Sequence, residues 1–226
     1  MNKVLCLFAF KSDKNSSSDY LKQAKTLIKR AQQHEINIML MTNVPSFFSG
    51  LDIEIIEPTV PDSYCNKVRL CEIALEKYET AIYLDVDCNI DFNLFKDVNF
   101  SKGFHYSEPW STPAGIFAKS EDLIDTKEGS KYFTPLKNYC ADKNLKIYDA
   151  PVICERIFAF TGKNTEFFDV FNSIAPIAEE NDKEWGNYPI GGGEGLLMGI
   201  AIINSNIINN GISEEMQKIN KQLYKV

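Results

Sequence analysis

The run Ala81-Ile82-Tyr83-Leu84-Asp85-Val86-Asp87-Cys88-Asn89-Ile90 constrains this chain more than any other stretch. An apolar segment climbs to two aspartates separated by one residue, then turns polar. If the strand persists, both carboxylates project from one face, with Cα atoms about 7 Å apart. Two bare carboxylates roughly 5 Å apart repel by about 3 kcal/mol at an effective dielectric near 20. A divalent cation removes that penalty, and hard cations are held by carboxylate oxygens together with substrate phosphates. The strand end therefore reads as a metal and diphosphate site, the plain alternative being a pair of surface loop aspartates.

The elements before it form a β-α-β series. Val4 to Phe10 is a continuous apolar run, as in a strand buried on both faces of a parallel sheet. After a serine-rich loop, Leu21, Ala24, Leu27, Ile28 and Ala31 recur at helical spacing. Ile36 to Met41 and Ile53 to Ile56 read as further strands, and a helix over Asn66 to Tyr78 turns Val68, Cys71, Ala74, Leu75 and Tyr78 inward. Lys67 and Arg69 lie about 200° apart around that helix, so only one can serve a ligand. Lys67 stands in the first turn, where free amides and the helix dipole favour an anion. The order implies an α/β fold with a mostly parallel sheet, and ligands of such sheets sit at the carboxyl ends of strands.

Later elements are expected at Phe104 to Tyr106 and Val152 to Phe160, the second broken by Glu155-Arg156, and in a helix through Phe167 and Ile174 that Pro176 kinks or ends. The tail from Ser213 to Val226 reads as a short helix.

Composition narrows the partners. The net charge of −7 comes with no basic stripe carrying interleaved aromatics, which argues against nucleic acid as the main ligand. The six cysteines include no C-x-x-C pair and there are two histidines, so a structural zinc site is not expected and a reducing compartment is. No apolar stretch is long enough for a membrane span. The expectation is a cytoplasmic protein with no integral membrane segment.

The segment from Asn66 to Asp87 resembles the signature of GT-A fold glycosyltransferases, particularly the glycogenin and lipopolysaccharide-sugar transferase group. There a lysine-bearing helix leads into a strand ending Tyr-Leu-Asp-x-Asp. The order of elements is compatible with that fold over residues 1–205, which the resemblance divides into a nucleotide-binding part (1–100) and an acceptor part (101–205), with 206–226 as a helical tail. It implies a metal-dependent, hexosyltransferase-like enzyme taking a nucleotide-sugar donor, most often a UDP-sugar, to an acceptor that stays open. Mn²⁺ or Mg²⁺ is then held by Asp85 and Asp87, flanking Val86, against the diphosphate. Ala9, Phe10 and Lys11 carry the nucleobase and ribose contacts, and Lys67 a donor contact. One departure is plain: the family's late histidine metal ligand is missing, since no histidine follows His105.

Glu194, behind Gly191-Gly192-Gly193, is the candidate catalytic residue. The resemblance makes it either a general base or an acceptor clamp, and the local chemistry is equally met by a plain carboxylate at a helix start. Trp185 and Tyr188 fit sugar stacking or core packing, and Glu155 with Arg156 fits a buried pair or a strand entering the site. A haloacid-dehalogenase-type phosphatase also uses strand-end Asp-x-Asp with Mg²⁺. Its nucleophile lies in the first strand and it needs a later Asp-Asp pair, neither of which this chain has. A GT-A domain that binds nucleotide-sugar without turnover is the remaining rival.

Overall fold

Residues 2–11, 18–60, 63–112, 115–117, 119–185, 193–221 and 223–225 are described by the computed structural model. The chain runs β1 (Lys3–Phe8), α1 (Ser18–Gln33), β2 (Asn37–Met41), β3 (Glu54–Ile56), α2 (Asn66–Ala74), β4 (Thr80–Leu84), β5 (Cys88–Asn89), α3 (Phe92–Asp97) and β6 (Gly103–Tyr106). It continues through β7 (Trp110–Thr112), β8 (Gly115–Phe117), α4 (Ser120–Ile124), α5 (Lys127–Asp142), β9 (Ile157–Thr161), α6 (Thr165–Trp185), α7 (Gly193–Ile203), α8 (Glu214–Asn220) and β10 (Tyr224–Lys225). These elements fall into two units, one of Met1–Ser107, Arg156–Lys163 and Asn210–Val226, the other of Glu108–Glu155 and Asn164–Asn209.

The first unit holds a six-stranded sheet in the order β3-β2-β1-β4-β9-β6. β3, β2, β1 and β4 are parallel, and β9 runs antiparallel to both β4 and β6. This is the mixed, mostly parallel α/β sheet expected from the sequence. Leu5 sits opposite Ile38 and Ile82, and Cys6 opposite Met39 and Tyr83. Alternate residues face opposite ways. Leu5, Leu7, Ile38, Leu40, Ile82 and Leu84 join the face of α1 formed by Leu21, Ala24, Leu27, Ile28 and Ala31 in one core cluster. All five helical positions expected to turn inward are buried. Cys6 points the other way and meets Cys71 of α2. Both faces are thus covered by helices, which is why the central strands read as unbroken apolar runs.

Three sequence expectations shift. β9 begins at Ile157, after the Glu155-Arg156 pair, and the boundary between the units falls within that pair. Of the two outcomes expected at Pro176, the helix end is the one that does not occur: α6 continues through it, with Phe167, Phe168, Phe171, Ile174, Ala175 and Ala178 buried on both sides of the lost hydrogen bond. The tail is not one helix: α8 buries Met216 and Ile219, and β10 then pairs antiparallel with β5.

The second unit is mostly helical, with α7 entirely apolar after its first turn. Among the described residues no helix is long and apolar enough to cross a membrane.

Candidate functional site

β4 ends at Leu84, one residue before the acid pair. Asp85 opens a turn closed by Cys88 N donating to Asp85 O at 3.0 Å, while Asp85 N donates to Arg156 O at 2.8 Å. The two aspartates therefore stand on a turn, and the extended-strand spacing expected for them does not apply. The alternation survives in burial alone: Val86, Cys88 and Ile90 lie in the core, whereas Asp85, Asp87 and Asn89 are half-buried.

α2 supplies the cation. Lys67 Nζ is 3.1 Å from Asp85 Oδ1, with side chains only 7% and 15% exposed. The ammonium also lies 5.3 Å from the ring centre of Tyr64 and 5.4 Å from that of Tyr83. Of the two candidate cations on α2, Lys67 is buried and Arg69 only half-buried, which settles which of them faces the acid pair. Tyr83, fully buried and stacked on Phe158 at 4.9 Å, donates its hydroxyl to the same Asp85 Oδ1 at 2.7 Å. Among the described residues, Tyr83 and Lys67 thus both meet this carboxylate at Oδ1. Burial raises the Asp85 carboxyl above the usual carboxylate range, outweighing the downward pull of Lys67 and Tyr83, and the charge of Asp87 adds a little to the rise.

Asp87 is held more loosely. The thiol of Cys88 approaches its Oδ1 at 3.7 Å. That thiol is pushed up to about 12, first by burial and then by Asp87 and Asp85, while Arg156 pulls it down. Arg156 therefore stands within electrostatic reach of that thiol.

The end of β1 completes the same side of the first unit. Ala9 is buried and donates its amide to Met41 O at 3.1 Å. Phe10 stacks on Phe8 at 4.9 Å and meets the edge of the exposed Tyr64 ring at 5.6 Å. Lys11 is exposed, and its backbone exchanges two hydrogen bonds with the Asn43 side chain, at 2.8 and 2.9 Å. Phe10, Tyr64, Lys67 and Asp85 thus form a continuous chain of contacts. Val86 is different: its side chain belongs to the core, which leaves only its backbone for a ligand.

Two residues of this cluster escaped the sequence reading. Tyr64 precedes α2 and was hidden in a proline-flanked loop. Tyr20, in the first turn of α1, has its hydroxyl held above the ordinary tyrosine value by burial and then by Asp85, with a smaller push from Asp87. Its hydroxyl lies within electrostatic reach of both acids. Its place just after the first βα loop, where α/β sheets bind ligands, was the available signal.

Glu194 belongs to the second unit, half-buried in the first turn of α7. Its neighbours have structural duties. Gly195 N donates to Glu155 Oε1 at 3.1 Å, so the buried Glu155 carboxylate answers the amides and dipole at the α7 N-terminus. A Cβ on Gly195 would lie 2.1 Å from Ile153 O, and one on Gly199 1.7 Å from Pro151 O. These glycines, four apart on one helix face, let the 151–155 segment cross α7 in contact with its backbone. Tyr188, Gly191 and Gly192 lie outside the described residues, as does the side chain of Trp185. His105 is buried with Nε2 2.9 Å from Ser101 O, and it plays no part in the acid cluster. Among the described residues no three His, Cys, Asp or Glu side chains gather to form a metal cage.

No family model matches the chain, and no curated protein matches it. It is similar to several solved glycosyltransferase structures. One, involved in glycosylating the major capsid of PBCV-1, is 13% identical over 82% of this chain and 70% of its own length, with a TM-score of 0.37. GlyE of Streptococcus pneumoniae TIGR4 is 10% identical over 91% of this chain and 44% of its own, at 0.40. The apo structure of the bifunctional WbbM is 9% identical over 98% and 45%, at 0.41. The chain thus spans less than half the length of the last two.

Proposed function

We propose that this chain transfers a sugar from a nucleoside diphosphate sugar, of the UDP-sugar class, with the help of a divalent cation held at Asp85 and Asp87. The observation that carries the reading is the buried Lys67–Asp85 pair at the carboxyl end of β4, with Asp87 loosely held beside it. It joins the lysine and the Asp-x-Asp of the resemblance in one place. A nearly buried lysine beside two carboxylates suits a ligand that carries both phosphate negative charge and a counter-cation.

The donor set fits such a cation. Among the described residues, Asp85 keeps Oδ2 clear of its bonds to Tyr83 and Lys67, and Asp87 meets a weak thiol contact. Two carboxylates supply hard oxygen ligands, and the remaining positions suit phosphate oxygens and water, as is usual for Mg²⁺-type sites. When bound, Mn²⁺ or Mg²⁺ supplies positive charge against the departing diphosphate. Lys67 stabilises the same charge from the α2 side. Tyr64, exposed and backed by the buried Phe10 ring, offers aromatic surface for the nucleobase, and the Lys11–Asn43 bridge holds the end of β1 in place. Glu194 is proposed as the general base or acceptor clamp, on the strength of its likeness to the acidic residue that opens the family's late helix.

A thermal melt with UDP-sugars plus Mn²⁺ tests this: the melting temperature should rise, and Asp87→Asn should abolish the rise. A wild-type protein indifferent to every nucleotide, with or without metal, overturns the proposal. Release of free UDP from a donor separates turnover from binding alone, and Glu194→Gln retaining full transfer and donor hydrolysis removes that residue from the chemistry.

A further inference from the structure

We infer that a groove between α1 and the 86–89 segment binds a compact organic anion, a carboxylate or phosphate ester on an apolar body. The groove holds about 260 Å³. That is a little below the roughly 300–1,000 Å³ usual for ligand pockets, so its occupant is small. Leu27, Val86 and Cys88 form the floor, and all three are buried. Val86 and Cys88 face the α1 side of the 86–89 segment, in one core cluster with Leu27, whereas Asp85 and Asp87 are not among the lining residues. The groove is therefore separate from the acid pair, and its ligand needs neither a cation nor a diphosphate there.

Arg30 sets the charge of the ligand. Its half-buried guanidinium donates to Asn89 Oδ1 and, at 3.4 Å, to Ile90 O, and lies 5.5 Å from the ring centre of the buried Phe92. These contacts hold the fork in one orientation. Among the described residues, however, its partners are an amide, a carbonyl and a ring, and none of them carries a charge. The lining carboxylate, Asp19, stands three turns away along α1, about 16 Å along the axis, and it meets Lys22 instead, at 3.5 Å. A rigid, partly desolvated guanidinium with no counter-charge favours an oxyanion, which its planar fork suits. Asn89 adds a donor: its Oδ1 accepts from Arg30 and, at 3.1 Å, from Ile90 N, which leaves Nδ2 without a partner among the described residues. An oxyanion between Arg30 and Asn89 Nδ2 would lay its apolar body on Leu27, Val86 and Cys88, with the exposed Lys22 ammonium at the rim. A cation of the same shape would meet Arg30 with like charge.

Calorimetric titration of the full chain with benzoate, phenyl phosphate, benzyl alcohol and benzamidine tests this, since the four share a ring and differ in charge. The two anions should bind with Kd on the order of 1 mM, about 10-fold or more tighter than the neutral and cationic rings. The tighter anion identifies the preferred head group. Arg30→Gln should weaken both anions about 10-fold and leave benzyl alcohol unchanged, a charge-selective loss that general unfolding does not produce. Arg30 also holds Asn89 and Ile90, so Thr26→Trp, at an exposed position lining the groove, is the second variant. Its ring should fill the groove and weaken every probe. Asp87→Asn should bind benzoate as the wild type does. Equal affinity for all four probes, no binding of any of them, or anions indifferent to Arg30→Gln overturns the proposal. So does binding that survives Thr26→Trp or vanishes in Asp87→Asn, because the ligand then sits elsewhere. The nucleotide reading of the acid pair stands or falls on its own test, whichever result appears.

Discussion

Asp85→Ala and Asp87→Ala should have very unequal consequences for stability measured without added metal, although the residues are only two apart. Asp85 holds the ammonium of Lys67 at 3.1 Å, and Lys67 is 7% exposed. Breaking a buried pair by deleting one partner costs about 3–5 kcal/mol, since the other charge stays behind in a poorly solvated place. The exposure of Asp85 and relief of its own burial cost put this case at the lower end. Loss of the acceptor for the Tyr83 hydroxyl, at 2.7 Å, adds about 1 kcal/mol. Asp85→Ala should therefore destabilise by about 3–4 kcal/mol, a large share of the roughly 5–15 kcal/mol typical of a folded protein.

Asp87 offers no such contact. It meets a thiol at 3.7 Å, and its charge works against that of Asp85. Asp87→Ala should fall within about 0.5 kcal/mol of the wild type, on either side. Urea unfolding in EDTA and a thiol reductant at pH 7 measures both. The double change Lys67→Met with Asp85→Leu should recover most of the Asp85→Ala loss, because an apolar pair leaves no stranded charge. Equal losses at Asp85 and Asp87, or a double variant as weak as Asp85→Ala, would refute the reasoning.

Gly199→Ala should cost about 3 kcal/mol or more despite its better helix propensity, because the new Cβ lies 1.7 Å from Pro151 O and backbone must move; circular dichroism melts give the size. Glu155→Ala should lose about 1 kcal/mol by removing the acceptor at the start of α7, and Glu155→Gln, which keeps an acceptor, should lose less in the same melts. All six cysteines are buried thiols, so the native protein should give no fast reaction with an aromatic disulfide reagent at pH 8 and six equivalents in guanidinium. Cys88 and Cys140 are raised to about 12 and about 11 by burial above all, against about 8.5 in an unfolded chain. Their contribution is therefore full below about pH 8.5 and lost as pH rises toward 11 and 12, so the urea midpoint should fall across that window.

How much of this was legible beforehand depended on the range over which each feature is determined. The inward face of α1 and the parallel strands were readable because burial repeats at a local period, and Leu21 to Ala31 obey it without exception. The start of β9 was not, because its position answers to Glu155, whose partner is an amide of α7 far along the chain. The same holds for the glycines. Gly195 and Gly199 are needed for the chain's own 151–155 segment, about 40 residues away, which no local signal reveals. The acid pair shows the limit most clearly. A strand pattern placed Asp85 and Asp87 side by side as equivalents, and no local rule could show that one turn residue would carry both Tyr83 and Lys67 while the other carried neither. Yet the lysine itself held the clue. A lysine that α2 turns inward needs a buried anion, and the end of the neighbouring strand offered one. What the sequence presented as two separate candidate contacts is, in the fold, an ion pair between Lys67 and Asp85.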